Sequence, residues 1–210
     1  MEIDICGEKL SLLAEKAIYW ADQSALLISD VHLGKISHFR KSGIGLPSAA
    51  SRDNYSRIAR LILDHKPTQV IFLGDLFHST YNEEWKYFVN FINGFEDVEF
   101  ILILGNHDIL DDNQYQTTKL QVVIQLMLGP FLLTHHPTET ETAFNLCGHI
   151  HPAIRLRGAS RQSVKIPCFY LTKNQCILPA FGTFTGTHIL PLKDADRVYG
   201  AVDTSVIRIQ

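Results

Sequence analysis

Short apolar runs alternate with stretches of helical periodicity through the first half of the chain. Residues 2–20 alternate apolar and polar positions around a Gly7-Glu8 turn, the pattern of an opening β-hairpin. Residues 25–29 form an apolar strand that runs into Asp30-Val31-His32-Leu33-Gly34. Tyr55, Ile58, Ala59 and Ile62 then recur at helical spacing, predicting a helix from about Pro47-Ser48 to just before Pro67. Residues 70–73 predict a buried strand that leads into Gly74-Asp75-Leu76-Phe77-His78. Asn82 is suited to cap a second helix, with Glu83 and Glu84 at the positive end of its dipole and Trp85, Phe88, Val89, Ile92 and Phe95 along one stripe. Residues 98–104 predict a strand delivering Gly105-Asn106-His107-Asp108.

This β-α-β-α-β order predicts a parallel sheet with crossover helices. The second half changes character. Residues 122–126, 131–134, 145–147, 164–171, 176–178 and 206–209 read as short strands with brief connections. They predict a second, more antiparallel sheet packed on the first. No repeat or linker divides the sequence, so residues 1–210 are expected to form one α/β domain.

Composition narrows the function. Hydrophobic residues make up 46% and charged residues 20%, ordinary for a globular protein, and the apolar runs are too short to span a membrane. The first seven residues carry two acidic groups and no basic one, unlike a secretory signal, which leads to the expectation of a cytoplasmic protein. Cys6, Cys147, Cys168 and Cys176 form no C-x-x-C pair and are expected to be buried, reduced side chains. A net charge of −3 gives no global case for nucleic-acid binding, so local basic patches must carry any such role. The unusual feature is ten histidines.

Five segments place Asp, Asn or His directly after an apolar strand: Asp30-x-His32, Asp75-x-x-His78, Asn106-His107-Asp108, His135-His136 and His149-x-His151. Functional groups collect at the carboxyl ends of parallel strands, so these ends can converge on one cavity. The i, i+2 pairs Asp30/His32 and His149/His151 would face one side of an extended chain. Adjacent glycines would let the backbone turn into the site. Imidazole, carboxylate and amide oxygen without thiolate suit divalent Mn, Fe, Co, Ni or Zn. Two such ions against Asp30 and Asp75 leave a net charge of about +2, which attracts a phosphate group. Held roughly 3.5–4 Å apart, they can share a hydroxide and clamp phosphoryl oxygens for in-line attack.

In order and spacing, these five motifs resemble those of the calcineurin-like metallophosphoesterases over residues 25–151. The resemblance implies a four-layer αββα sandwich of two mixed β-sheets flanked by helices. It also implies two divalent metal ions, most commonly Mn2+. Asp30, His32, Asp75 and His151 would hold the first ion; Asp75, Asn106, His135 and His149 the second. His107 would act as the acid toward the leaving group, with Asp108 orienting its ring. His78 falls where SbcD-type repair nucleases carry a histidine that assists phosphate chemistry.

A closer resemblance, reaching nearly to residue 190, is to the bacterial DNA ligase-associated metallophosphoesterases. It rests on Ser29–Lys35, residues 39–43, Asn145–Pro152, Arg161-Gln-Ser163 with Pro167-Cys-Phe169, and Leu178–Gly182 with Phe184-Thr-Gly186. It implies DNA as substrate, a repair setting, and a ligase and a helicase as partners. Where many members have His-Glu-Pro, this chain has His135-His136-Pro137, leaving a spare imidazole beside the expected ligand His135.

Two basic segments adjoin ligand loops: Lys35, His38, Arg40 and Lys41 with Phe39, and Arg155, Arg157, Arg161 and Lys165. They are candidates for holding a nucleic-acid backbone, Phe39 for stacking on a base. Strands take up most of the sequence after His151, so an open site without a capping domain is expected. The leading expectation is a DNA phosphodiesterase. The alternatives are a phosphodiesterase or phosphomonoesterase of small nucleotides, and a non-catalytic scaffold, which the intact ligand set disfavours.

Overall fold

The computed structural model describes residues 1–35, 49–78, 83–157, 162–194 and 196–210. The expected helix start at Pro47-Ser48, the Asn82 cap, and His38, Phe39, Arg40, Lys41 and Arg161 lie outside the described residues.

Strands β1 (Glu2–Ile5), β2 (Glu8–Leu12), β3 (Ala17–Trp20), β4 (Ala25–Ile28), β5 (Gln69–Leu73), β6 (Glu99–Ile103) and β7 (Leu120–Val123) form a seven-stranded sheet in that order. Pairing is antiparallel from β1 to β4 and parallel from β4 to β7. Helices α1 (Ala49–His65) and α2 (Glu83–Asn93) lie in the crossovers, and a short α3 (Asp112–Gln116) precedes β7.

The central strands read as unbroken apolar runs because both their faces are covered. Leu26, Ile28, Val70, Phe72, Phe100 and Leu102 pack with Ile58, Leu61 and Ile62 of α1 and Trp85, Phe88 and Ile92 of α2. Their strand neighbours Ala25, Leu27, Ile71, Leu73, Ile101 and Ile103 share another core with the second sheet, against Phe131, Leu133, Leu146, Phe169 and Leu171. Helix α1 stops where Lys66 takes φ 49°, donates its N–H to Ile62 O at 2.8 Å, and is followed by Pro67.

The second sheet contains β8 (Leu126–Leu128), β9 (Phe131–Leu133), β10 (Phe144–Cys147), β11 (Pro152–Arg157), β12 (Ser163–Leu171), β13 (Gln175–Ile177) and β14 (His188–Ile189). Their order is β14-β11-β12-β13-β10-β9-β8, with β15 (Arg197–Val202) paired to β12 and β16 (Ser205–Arg208) to β15. Two sheets are therefore stacked as expected, and both are mixed. The expected strand at 122–126 is divided: β7 closes the first sheet, β8 opens the second, and the chain changes sheets between them. The second sheet is also less antiparallel at its centre than the pattern suggested, since β10 runs parallel to both β9 and β13. That centre matters for the site, because it puts the loops after β9, β10 and β13 at one edge.

Among the described residues the α-helices all pack on the first sheet. The outer face of the second is an apolar cluster of Cys147, Ile154, Ile166, Cys168, Tyr170, Ile177 and Val198. Three cysteines are buried as expected, but Cys6 lies exposed in the first turn. No described helix is long and apolar enough to cross a membrane.

Candidate metal centre

The parallel ladder between β4 and β5 continues past the strand ends. Asp30 N–H donates to Gly74 O (3.1 Å), His32 N–H to Asp75 O (2.9 Å) and Leu33 N–H to Leu76 O (2.8 Å). The loop after β13 joins from the other sheet, with Phe181 N–H on Ser29 O (2.9 Å) and Gly182 N–H on Asp30 O (3.1 Å). The two sheets are thus sewn together at the residues expected to carry chemistry.

Asp30, His32, Asp75, His149 and His151 all have left-handed backbone, with φ of 53°, 51°, 51°, 67° and 53°. The i, i+2 pairs are therefore not on extended chain, because β4 ends at Ile28 and β10 at Cys147. Each such residue costs roughly 1–2 kcal/mol, and strain of this kind gathers at functional sites. The glycines also act differently from the expectation. Of Gly74, Gly105 and Gly148, which immediately precede ligand residues, only Gly74 has positive φ (79°), and a Cβ there would overlap the His135 ring. Gly105 and Gly148 are needed for close approach: a Cβ on the first would strike Asp75, and on the second Ser29 and Asp30.

The ligand atoms converge in two groups around Asp75. In the first, Asp30 Oδ1 lies 3.1 Å from His151 Nε2, which is 3.4 Å from His32 Nε2, and His32 Nε2 is 3.8 Å from Asp75 Oδ2. In the second, His135 Nε2 lies 3.4 Å from Asp75 Oδ1, 3.1 Å from Asn106 Oδ1 and 3.2 Å from His149 Nδ1. The two oxygens of Asp75 therefore face different groups. All seven expected ligands are brought together.

Backbone carbonyls set the rings. His135 Nδ1 faces Leu73 O at 2.9 Å and His151 Nδ1 faces Gly186 O at 3.1 Å. In the neutral form each Nδ1–H donates there, leaving the Nε2 lone pair for the site. Those lone pairs then meet oxygen and nitrogen acceptors at hydrogen-bond distance, an arrangement that a cation between them satisfies. Asp30 Oδ1 is buried without a hydrogen-bond donor, as is suitable for a metal ligand. The donor set fits divalent transition metals.

Electrostatics follow the same geometry. Burial drives His32 down to about 3, against the pull of Asp30 and Asp75, so its ring is neutral. Burial alone would raise Asp75, but the His135 hydrogen bond, the His107 N–H at 2.9 Å and the nearby histidines hold it at about 2. Burial, then His136 and His135, lower His149.

His107 and His78 stand at the first group: the two rings stack with centroids 5.2 Å apart, and His107 is 5.4 Å from His32. Asp108 is placed otherwise than expected. Its carboxylate accepts from Phe77 N–H (3.0 Å) and Gly105 N–H (2.9 Å), tying the loop after β6 to that after β5. Among the described residues no hydrogen bond joins it to the His107 ring; those two backbone N–H groups occupy one carboxylate oxygen each. Burial, opposed by those two N–H groups, raises it to about 6.

Lys35 lines a small cleft of about 10 Å³ beside His32, with Asn54, Glu84 and Phe184. Arg155 and Arg157 are exposed on β11, which starts immediately after His151, and Arg155 sits directly across from exposed Lys165 of β12. Like charges opposed across a ladder destabilise it unless an anion lies between. Three further supports leave little trace in the sequence. Ser29 donates to Asp30 Oδ2 at 2.5 Å, Gly186 orients His151, and the His188 backbone N–H holds His151 O at 2.9 Å. Ser29 could have been suspected from its position; carbonyl supports leave no side-chain signal.

Comparison with known proteins gives a family and similar solved structures. The family model described as calcineurin-like phosphoesterase matches residues 24–154. The crystal structure of Pseudomonas putida nuclease MPE is 33% identical, covers 96% of both chains, and superposes with a TM-score of 0.83. Yfce, a phosphoesterase from E. coli, is 15% identical over 87% of this chain and 96% of its own, with a TM-score of 0.45. No curated protein matches the sequence.

Proposed function

We propose, from the premise that this chain belongs to the calcineurin-like phosphoesterase family, that its metal-dependent phosphoesterase site is dinuclear and cleaves phosphodiester bonds in DNA. The observation that carries this reading is Asp75, whose two carboxylate oxygens face two separate ligand groups. Asp30, His32, His151 and Asp75 would hold one ion; Asp75, Asn106, His135 and His149 the other. Manganese is the ion that the family resemblance implies, and the mixed oxygen and nitrogen set also admits iron, cobalt, nickel and zinc. When bound, such a pair supplies an activated water and neutralises phosphoryl charge.

The protein's own side chains do the rest. Asp75 receives the His107 N–H, so the loop bearing the acid is indexed to the bridging carboxylate. His107 as imidazolium protonates the departing oxygen. His78, stacked on His107, would limit that ring's rotation and assist by contacting a phosphoryl oxygen. Asp108 braces the same loop from below.

A DNA substrate is supported by likeness to a protein described as a nuclease, and by the basic ladder Arg155, Arg157 and Lys165 leading away from His151. Phosphate contacts along such a ladder position a strand without reading its sequence. The ligase and helicase partnership and the repair setting rest on the sequence resemblance. A second reading, small-nucleotide hydrolysis, uses the same ligand groups around Asp75 and does not need the basic ladder.

A manganese-supplemented assay of single-stranded DNA, duplex DNA, cyclic nucleotides and phosphomonoesters separates these readings. DNA cleavage abolished by chelation is the expected result. Preference for a cyclic nucleotide or a monoester over every DNA would overturn the DNA assignment.

A further inference from the structure

The turn carrying His136 is strongly built for a residue outside the expected ligand set. Buried Asn145 donates its amide to Leu132 O (2.9 Å) and Thr134 Oγ (2.8 Å), and accepts Thr138 N–H (3.0 Å). The hydroxyls of Thr134 and Thr138 both donate to the carbonyl of His136, at 2.6 and 2.9 Å. Pro137 follows and stiffens the chain. The peptide is therefore clamped while the ring itself is exposed, at the rim of the metal centre.

That ring packs against two of the expected ligands. Its centroid lies 4.1 Å from that of His149 and 4.8 Å from that of His135. One nitrogen from each of the three rings lies within 4.8 Å of the others. Imidazoles bind zinc at about 2.0–2.1 Å, so nitrogens on one tetrahedral ion are spaced well inside that limit. Manganese favours oxygen ligands, whereas zinc, cobalt and nickel favour imidazole.

We propose that His136 is a further ligand of the second cation position, where with His135 and His149 it forms a three-imidazole face that favours zinc, cobalt or nickel over manganese. The inference rests on the dinuclear reading above. It assigns the second position a metal preference that its carboxylate and amide oxygens alone do not give. At the first position, with two carboxylates and two imidazoles, the nearby rings of His78 and His107 join no such cluster of ligand atoms among the described residues.

The test is equilibrium dialysis of the metal-stripped full chain against Zn2+ and, separately, Mn2+, for wild type, His136→Ala and His136→Gln. Losing the ligand is expected to weaken one of two zinc sites by roughly tenfold or more, since even an outer-shell partner is worth that much, and manganese by much less. The visible spectrum of the Co2+-loaded chain should change for one of its two ions. Circular dichroism of the stripped proteins checks the fold, and the glutamine variant serves if alanine disturbs the turn. Two ions bound with superimposable zinc isotherms and an unchanged cobalt spectrum would overturn the role of His136 alone. A wild type that takes up fewer than two ions would instead overturn the dinuclear reading, and this inference with it.

Discussion

Replacing Gly105 with alanine tests whether close backbone approach, and not merely the ligand side chains, sets the centre. A Cβ at this position would lie 3.1 Å from Asp75 Cα and still nearer the Asp75 backbone nitrogen and Oδ1. Carbon atoms settle at about 3.5–4.0 Å, so one of the two loops must move by on the order of 1 Å. Overpacking of this kind costs roughly 1–3 kcal/mol. In a chain of this size that corresponds to a fall in Tm of about 2–12 °C. Misplacing a positioning group by about 1 Å near the chemistry costs roughly a hundredfold in rate. Because Asp75 faces both ligand groups, both cations should bind more weakly. Gly186→Ala is the control: nothing lies within 4 Å of its added Cβ, and the carbonyl that orients His151 is unchanged. The assay is hydrolysis of an aryl phosphodiester by chelator-stripped, reconstituted protein, read beside metal content and Tm. A Gly105→Ala protein with full metal content and activity within twofold of wild type would refute the reasoning.

Three further predictions concern other parts of the molecule. His107→Ala should retain both metals yet lose about 10²–10⁴-fold in DNA cleavage, with a smaller loss on an aryl phosphodiester whose leaving group needs no proton; equal losses would contradict the acid role. Arg155→Ala combined with Arg157→Ala should weaken DNA binding and flatten its dependence on log salt by about 1.4–1.8, as measured by fluorescence titration, while sparing aryl phosphodiester turnover. Lys16 is lowered to about 8, first by burial and then by Arg57, with Asp53 opposing. Between pH 8 and 10.5 the unfolded chain holds a proton that the folded one has released, so this group's contribution to stability rises with pH across that window. Thermal melts of Lys16→Met should therefore exceed wild type in Tm at pH 7, with the gap closing toward pH 10; a constant gap would count against the buried ammonium.

The ligands were legible because their chemistry is written in residue type and in position after a strand. The left-handed backbone at Asp30 and His32 was not, since Asp-Val-His-Leu-Gly reads as a continuation of β4. Contacts that depend on a partner distant in the chain were also hidden: Gly148 gives way to Ser29, and Leu73 O turns the His135 ring. Asp108 shows the limit of adjacency, because a residue next to His107 in sequence bonds to Phe77 and Gly105 in space. In the fold, paired apolar faces revealed β4, β5 and β6. The turn from β7 to β8 was lost because one apolar stretch supplies edge strands to both sheets. Strand β11 was read only as a basic segment, since Arg155 and Arg157 sit on its exposed side and mask the buried Ala153 and Ile154.

Anomalous diffraction from crystals of the full chain soaked in Mn2+ tests the bridging role of Asp75 most directly. The account predicts two peaks roughly 3.5–4 Å apart with the Asp75 carboxylate between them, one beside Asp30, His32 and His151 and the other beside Asn106, His135 and His149. A single peak, or two that do not share Asp75, would contradict it.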